Sequence, residues 1–330
     1  MNKYPFLRYT AFFILLIYVW VLVACRSEKK HTSGVPTVGY MEAFEDATIA
    51  DARKGFLAAL NEKGFSEEKG TMTFVYRNAQ GDMSTMNQIV SYLKSENVDC
   101  IGTSTTLSTL AAVQRIKDIP LFMCITAMPE ILGLKSDGKP APKNLFGVGE
   151  DLRYIDTSFA IIQQVVKPKK EKLRIGMIYN QAEQQSVIAF NRLDRLANQH
   201  QVELVALPLN TSADAQLVVR ALVKKKIDAF FANPDNTVFA AFETILNNCN
   251  TYGIPVFTSE IGLVKRGAVA AYGADIYQWG YQAGEEAASF LKTGKTKQLK
   301  IEEVKVRKHV YNAEAAQRFG FKFTDDFEKL

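Results

Sequence analysis

Two segments of the chain repeat one pattern of strand, polar loop, helix and strand. In the first, Val98-Asp99-Cys100-Ile101 leads through a Thr/Ser turn and a helical stretch to Ile119-Pro120-Leu121-Phe122. In the second, Ile227-Asp228-Ala229-Phe230 leads through Asn233-Pro234-Asp235-Asn236 and a helical stretch to Ile254-Pro255-Val256-Phe257. A pattern repeated in this order predicts two similar halves built on the same unit.

From Pro36 onward, short apolar runs alternate with longer segments of helical period, which predicts an α/β fold with parallel sheets flanked by helices. Strands are predicted near 37–40, 72–76, 100–102, 121–125 and 145–148, and near 174–179, 203–207, 229–232, 256–258 and 268–272. This gives two lobes with about five strands each. Because polar loops follow the carboxyl ends of parallel strands, two facing lobes are expected to enclose a cleft that binds a ligand.

The first 24 residues are predicted to be a signal peptide, since Lys3 and Arg8 precede an apolar run over 11–23 that is too short to span a bilayer. The residues Leu22-Val23-Ala24-Cys25 resemble the lipobox of bacterial lipoproteins, so Cys25 is expected to carry a lipid. The alternative is a signal anchor with a chance cysteine. Residues 25–35 are mostly polar, which predicts a flexible tether. The tether would hold the body outside a bacterial membrane, in the periplasm or the extracellular space. The sequence does not decide which membrane leaflet carries the lipid.

Composition and motifs argue against several classes of function. A net charge of +5 is small for a nucleic-acid binder. The body has three cysteines, Cys100, Cys124 and Cys249, with no Cys-x-x-Cys spacing and few histidines, so neither a metal nor another cofactor is expected. No phosphate-binding loop, nucleophile elbow or zinc-protease motif occurs, and the chain is not expected to be an enzyme.

The loops after several strands place polar groups just before a helix. Thr103 and Ser104 stand in a run of four hydroxyl residues, more than helix capping needs, so both are candidates for binding a ligand carboxylate. In the second lobe, Asp235 either accepts from a ligand ammonium or caps a helix. For Glu183 and Ser186 the sequence likewise allows either role, ligand binding or helix capping.

The chain also resembles ABC transporter substrate-binding lipoproteins of the tryptophan/tyrosine-binding type, over roughly residue 35 to the end. The matching motifs, in order, include Tyr76-Arg77-Asn78-Ala79-Gln80-Gly81-Asp82, Gly102-Thr103, Tyr179-Asn180 with Glu183 and Ser186, Asp235-Asn236-Thr237-Val238, Ile254-Pro255-Val256-Phe257 and Val264-Lys265-Arg266-Gly267-Ala268.

The resemblance implies the type I periplasmic-binding fold, with two lobes joined by three crossovers near 149–153, 274–279 and 295–300. Lobe 1 would comprise residues 36–149 and 278–298, and lobe 2 residues 150–277 and 299–330. The implied partners are a small-molecule ligand, an ABC permease with its ATPase and, through the lipid, a membrane. A monomer that binds no nucleic acid is expected. A membrane-tethered sensor with the same fold stays as an alternative.

The ligand that the resemblance implies is an amino acid, with an aromatic one as the first candidate and a nucleoside or sugar as the alternative. Tyr40 and Phe44 would stack on its ring, while hydroxyls would meet its carboxylate and acids its ammonium. The candidate ligand-binding residues are Tyr40, Phe44, Thr103, Ser104, Thr126, Asn180, Glu183, Ser186, Asp235, Asn236 and Ser259. Two departures bear on specificity: Ala127-Met128-Pro129 replaces an Asp-Pro of the family, and Gln185 replaces an Asn.

Overall fold

Strands and helices alternate along most of the chain in the structure, a computed structural model that describes residues 34–330. The predicted signal peptide, Cys25 and most of the predicted tether lie outside the described residues. The strands are β1 (Thr37–Glu42), β2 (Thr73–Asn78), β3 (Cys100–Ser104), β4 (Leu121–Cys124), β5 (Leu145–Gly149), β6 (Arg174–Tyr179), β7 (Glu203–Pro208), β8 (Ala229–Ala232), β9 (Val256–Thr258), β10 (Ala270–Ala274), β11 (Ile301–Glu303), β12 (Arg307–Tyr311) and β13 (Glu328–Lys329). The α-helices are α1 (Ala47–Glu62), α2 (Met83–Ser95), α3 (Thr106–Arg115), α4 (Tyr154–Val165), α5 (Gln184–Gln199), α6 (Ala215–Val223), α7 (Asn236–Ala240), α8 (Phe242–Thr251), α9 (Ile261–Lys265), α10 (Ile276–Thr293) and α11 (Ala313–Phe319). None of these helices is long and apolar enough to cross a membrane.

Two separate parallel sheets organise the fold. The first lobe is built on a six-stranded sheet of order β11-β5-β4-β3-β1-β2, and every neighbouring pair in it is parallel. The second lobe contains a parallel sheet of order β7-β6-β8-β9 and a smaller sheet of order β10-β12-β13, in which β10 and β12 are antiparallel. The predicted α/β class with helix-flanked parallel sheets is confirmed. The sequence predicts a C-terminal strand at His309, within β12, but its antiparallel pairing with β10 was not predicted.

Each main sheet is covered by helices on both faces. Neighbouring residues of a strand point to opposite faces, so Tyr40 packs in one apolar cluster of the first lobe and Met41 in the other. In the second lobe, Phe230 and Phe231 divide between two clusters in the same way. This double cover explains why β3, β4 and β5 consist entirely of buried residues, as is usual for parallel sheets.

Helices α1 and α10 cross closely on one face of the first sheet. A Cβ atom at Gly280 would lie 1.9 Å from the carbonyl oxygen of Ala52, and one at Gly55 would lie 2.0 Å from that of Tyr277. Only glycine leaves room for backbones at this distance. The two glycines therefore fix α10, which brings Trp279 next to the sheet.

The chain passes between the lobes three times. The first passage is residues 150–153, between β5 and α4, and the second is at Asp275, between β10 and α10. The third falls at residues 304–306, because β11 still pairs with β5 of the first sheet. The sequence prediction put this crossover at 295–300 and assigned residues from 299 to lobe 2, and the structure differs on this point. A three-residue edge strand after a lysine-rich loop is too short to show a strand pattern.

Candidate ligand site between the lobes

The carboxyl ends of the first sheet carry strained backbone. Thr105, Ile125 and Leu152 come after β3, β4 and β5, and their φ angles are 83°, 47° and 69°. Such angles are rare outside glycine and cost on the order of 1–3 kcal/mol each. Strain that a fold retains in this way is concentrated at functional sites, so it marks this end of the first lobe as a candidate site.

An open groove of about 910 Å³ runs between the lobes. We call it the outer groove. The first lobe lines it with Phe44, Glu45, Asp46, Ala47, Gln80, Gly81, Met83 and Leu107, and the second lobe with Asn180, Ala182, Glu183, Asn210, Thr211, Ser212, Thr237, Ala240, Glu243 and Arg266.

A smaller inner cavity lies beside the first two crossovers. Its residues are Thr106, Ile125, Tyr154, Gln185, Pro234, Asp235, Asn236, Phe239, Glu260 and Trp279. Its volume is about 20 Å³, enough for little more than one water molecule. Both lobes contribute to the lining, so the volume of the cavity depends on how the lobes and the side chains between them are arranged.

Side chains bridge the two lobes at two levels. At the inner cavity, the Thr106 hydroxyl donates to Gln185 Oε1 at 2.5 Å. At the outer groove, Arg266 Nη1 of the second lobe lies 2.6 Å from Asp46 Oδ2 of the first and 3.3 Å from the Thr48 hydroxyl. These contacts hold the lobes together, and the arrangement is therefore a closed one.

Asp235 is buried at the N-terminus of α7 and is fully engaged within the second lobe. Its Oδ1 accepts from the backbone N–H of Val238 at 3.0 Å, which is the capping role that the sequence left open. Its Oδ2 accepts from the N–H of Asn180 at 2.7 Å and from the Ser186 hydroxyl at 2.5 Å. Burial raises the pKa of Asp235, and these hydrogen bonds oppose that effect.

Glu183 is also held by internal donors. The Asn236 side-chain amide donates to its Oε2 at 2.6 Å, and the Thr237 hydroxyl donates to its Oε1 at 3.1 Å. Asn180 Nδ2 adds a longer bond of 3.4 Å. Burial, together with the nearby charge of Asp235, raises the pKa of Glu183 to about 7.

Glu260 is the acid of the inner cavity with the fewest compensating groups. It is 3% exposed, and its Oε1 accepts from the Tyr154 hydroxyl at 2.9 Å. No Lys, Arg or His of residues 34–330 forms an ion pair with it. Burial, with a further contribution from the charge of Glu150, raises the pKa of Glu260 to about 8, although the Tyr154 and Ser259 hydroxyls act in the opposite direction.

Aromatic side chains form much of the inner cavity wall. Trp279, Tyr154 and Phe239 all line it. Trp279 is oriented by a hydrogen bond from its indole N–H to the carbonyl of Val148, at 2.9 Å. The cavity thus combines rings with acids, hydroxyls and amides, and no lysine, arginine or histidine of the described part of the chain lines it.

The predicted site residues separate into three groups. Asp235 and Asn236 line the inner cavity, while Phe44, Asn180 and Glu183 line the outer groove. The others line neither and are buried: Tyr40, Thr103, Ser104, Thr126, Ser186 and Ser259.

Tyr40 was predicted to point into the cleft, but the structure places it in the first-lobe core. Its ring packs on Phe56 and Phe74 at centroid distances of 5.2 and 5.9 Å, and its side chain is fully buried. Tyr40 is two residues before the end of β1, on the sheet face that α1 and α10 cover. Ring stacking with a ligand is therefore not available to it in this arrangement.

Two predicted hydroxyls of the first lobe are used internally. Thr103 Oγ1 and Thr109 Oγ1 are 2.9 Å apart, so Thr103 links β3 to α3. Thr126 Oγ1 lies 3.1 Å from Thr106 Oγ1 and supports the residue that reaches Gln185. Among the second-lobe residues, Ser186 positions Asp235 and Ser259 precedes Glu260.

Sequence reasoning missed Tyr154, Phe239, Glu260 and Trp279. Two signals were available. Tyr154 and Trp279 flank predicted crossovers, where chain from both lobes meets, and Glu260 follows a strand end already singled out at Ser259. No comparable signal marks Phe239, which lies inside a helical apolar run.

Known proteins resemble this chain in sequence and in fold. A family model described as ABC transporter substrate binding protein matches residues 37–330. The chain is 32% identical over 266 residues to the tyrosine-binding protein of Clostridioides difficile (strain R20291). The aligned region covers 80% of this chain and 75% of the relative.

Two solved structures show the fold. One is an ABC domain from Streptococcus pneumonia in complex with L-Trp, with a TM-score of 0.79 at 19% identity over 89% of this chain and 99% of the other. The other is the ligand-free, open structure of a substrate-binding protein with adhesive properties from Clostridium difficile, with a TM-score of 0.65 at 25% identity over 90% and 99%.

Two α/β lobes around a polar and aromatic cavity define a solute-binding protein of the type I periplasmic-binding fold. The chain belongs to the ABC transporter substrate-binding proteins. These are binding proteins rather than enzymes, which agrees with a site that offers side chains for recognition.

Proposed function

We propose that this protein is a lipid-anchored solute receptor that closes on an amino acid, preferentially an aromatic one, and delivers it to an ABC permease and its ATPase. The observation that carries the proposal is the inner cavity, where both lobes supply rings and polar groups around one small space. A solute bound there contacts both lobes only when they are closed, so its binding energy shifts the protein towards the closed state.

The lining favours a ligand with a ring and a positive charge. Trp279, Phe239 and Tyr154 offer faces and edges for an aromatic side chain. Asp235 and Glu260 are the acids of the lining, and none of its residues within 34–330 is a lysine, arginine or histidine, so an ammonium group is the favoured partner.

The carboxylate of an amino acid would accept hydrogen bonds from the first lobe and from side-chain amides of the second lobe. Thr106 is the first residue of α3, where free backbone N–H groups and the helix dipole favour an anion. Its hydroxyl and the side-chain amides of Gln185 and Asn236 line the same cavity. In the closed arrangement Thr106 and Gln185 bond to each other, and a solute would replace that bond.

The relatives support the same class of ligand. One is named a tyrosine-binding protein and another is solved with L-Trp. The cellular setting follows from the family and the N-terminal sequence: Cys25 would anchor a monomeric body outside the cytoplasmic membrane, close to the permease.

A thermal-shift screen of amino acids, nucleosides and sugars tests the proposal. A ligand at 100 times its dissociation constant stabilises a protein by about 2.7 kcal/mol, which gives a clear rise in melting temperature. We expect the rise with L-tyrosine or L-tryptophan, and we expect Phe239→Leu to reduce it.

Phe190→Leu makes the same change in a ring that stacks on Tyr179 outside both cavities and should leave the response intact. A response to sugars or nucleosides alone would contradict the amino-acid assignment. An equal loss in both variants would contradict the placement of the ligand in the inner cavity.

A further inference from the structure

Glu260 occupies an unusual position for an acid. It is the N-cap residue just before α9, but its side chain makes no capping bond and lines the inner cavity instead. The Tyr154 hydroxyl donates to it from α4 of the same lobe, at 2.9 Å. Burial of a carboxylate without a cation is costly, and a buried acid usually becomes neutral instead.

The charged and titratable groups around Glu260 are acids and a phenol. Tyr154 contacts it from α4 and Glu150 acts on it from the residue after β5, while Asp235, from the loop before α7, lines the same cavity. Arg307 of β12 does not compensate it, because both of its terminal contacts of 2.7 and 2.8 Å go to the carboxylate of Glu150. An ionised Glu260 would therefore add negative charge to a region that has no free cation among the groups facing it.

Asp235 and Glu183 differ from Glu260 in this respect. Asp235 accepts three short hydrogen bonds that stabilise its ionised form. Glu183 accepts from an amide and a hydroxyl at 2.6 and 3.1 Å. Glu260 is thus the cavity acid that depends most on a charge supplied from outside the protein.

We propose that Glu260 is protonated in the ligand-free protein and ionises as it pairs with the positively charged group of the solute, so that binding releases one proton to solvent. The inference rests on the proposed function and adds to it the group that is recognised and its dependence on pH. The carboxyl O–H bond breaks, the proton passes to water or buffer, and an ammonium N–H then donates to the carboxylate. No redox step or cofactor is involved.

The raised pKa of Glu260 sets the direction in which ligand affinity changes with pH. Since the pKa of Glu260 is about 8, most molecules hold the proton at pH 7 and must lose it to bind. An ammonium beside the carboxylate lowers its pKa, so affinity rises with pH below 8 and levels off above it. Between pH 6 and 7 the dissociation constant should fall about tenfold, one decade per proton released.

Calorimetry of the full-length protein in detergent tests this with three related probes: L-tyrosine, tyramine, which keeps only the ammonium, and 3-(4-hydroxyphenyl)propionate, which keeps only the carboxylate. Titrations at pH 7 in phosphate and in Tris, whose ionisation heats differ, give the number of protons released. We expect close to one proton for L-tyrosine and tyramine, and much weaker binding of the propionate.

Glu260→Gln keeps the size of the side chain and an oxygen for Tyr154 but cannot ionise. We expect it to release no proton and to bind tyramine at least tenfold more weakly, with a flat pH profile from 6 to 8. Glu286→Gln is the matched control, because burial raises the pKa of Glu286 to about 7 while its side chain bonds the N–H of Gly147 outside the inner cavity. This control should behave as the wild type.

Wild-type binding of L-tyrosine with no proton release, or with affinity independent of pH between 6 and 8, would overturn the inference and leave the proposed function standing. So would proton release that survives in Glu260→Gln but disappears in Glu183→Gln. The wild-type pH profile gives this answer even if a variant folds poorly. Failure of all three probes to bind the wild type would instead overturn the aromatic amino-acid proposal, and the inference with it.

Discussion

The ion pair between Asp46 and Arg266 is the contact whose loss should most directly open the lobes. Asp46 stands before α1 in the first lobe and Arg266 follows α9 in the second, and their side chains are only 4% and 16% exposed. We therefore consider Asp46→Asn. Asn is as good a helix cap as Asp, so the bonds that Asp46 Oδ1 accepts from Thr48 and Ile49 at 2.8 and 3.1 Å should survive.

The size of the effect follows from what the substitution removes. The charge-assisted bond of 2.6 Å to Arg266 is lost, and such bonds contribute about 1.5–3 kcal/mol when largely buried. Arg266 keeps its two 2.8 Å bonds to Glu243 within the second lobe, so it is not left unpaired. The open-to-closed ratio should rise roughly 10- to 150-fold.

Pulsed electron paramagnetic resonance measures this ratio through the distance between labels at Lys94→Cys and Leu217→Cys. Both sites are exposed, one in each lobe, while the native cysteines of the described chain are buried. We expect a longer-distance population to grow in Asp46→Asn. Glu243→Gln removes the other partner of Arg266 without touching the first lobe, and it should change the distances much less. Identical distance distributions in Asp46→Asn and the wild type would refute the reasoning.

Three further predictions concern stability and reactivity. Because the pKa of Glu260 is about 8 in the fold and near 4.5 when unfolded, the native state holds an extra proton between these values and loses stability as pH rises through them. Glu260→Gln should therefore match the wild type at pH 4 and be more stable at pH 9 by up to about 5 kcal/mol in urea titrations; a difference that is the same at both pH values would contradict this. Gly280→Ala should cost about 1–3 kcal/mol in urea unfolding, since its Cβ would sit 1.9 Å from the Ala52 oxygen, and an unchanged midpoint would show that α1 and α10 separate freely. The buried thiols of Cys100, Cys124 and Cys249 have raised pKa values and should react with Ellman's reagent only after denaturation; rapid labelling of the native protein would contradict their burial.

Much of the fold follows from local pattern. The apolar runs that form β3 and β8 are bounded by turn residues, and repetition of the unit around them predicts two lobes before any distance is known. The third crossover could not be placed in this way. Its position depends on three residues at a sheet edge, and their pairing with β5 is a tertiary contact with no local signature.

The site was less accessible to sequence reasoning, because burial decides which polar residues can meet a ligand. Thr103 and Thr126 have suitable hydroxyl groups, but these form hydrogen bonds with Thr109 and Thr106, respectively. Glu260 follows Ser259, which was singled out, but three-dimensional packing is needed to show that no cation of the described residues pairs with it. Strain at Ile125 is likewise invisible in the residue type.

A crystal structure of the protein grown with L-tyrosine tests the central claim most directly. We expect the ligand in an expanded inner cavity, with its ring against Trp279 and Phe239 and its ammonium within hydrogen-bond distance of the Glu260 carboxylate. L-Tyrosine bound in the outer groove, with Thr106 and Gln185 still hydrogen-bonded to each other at an unexpanded inner cavity, would contradict this placement of the ligand.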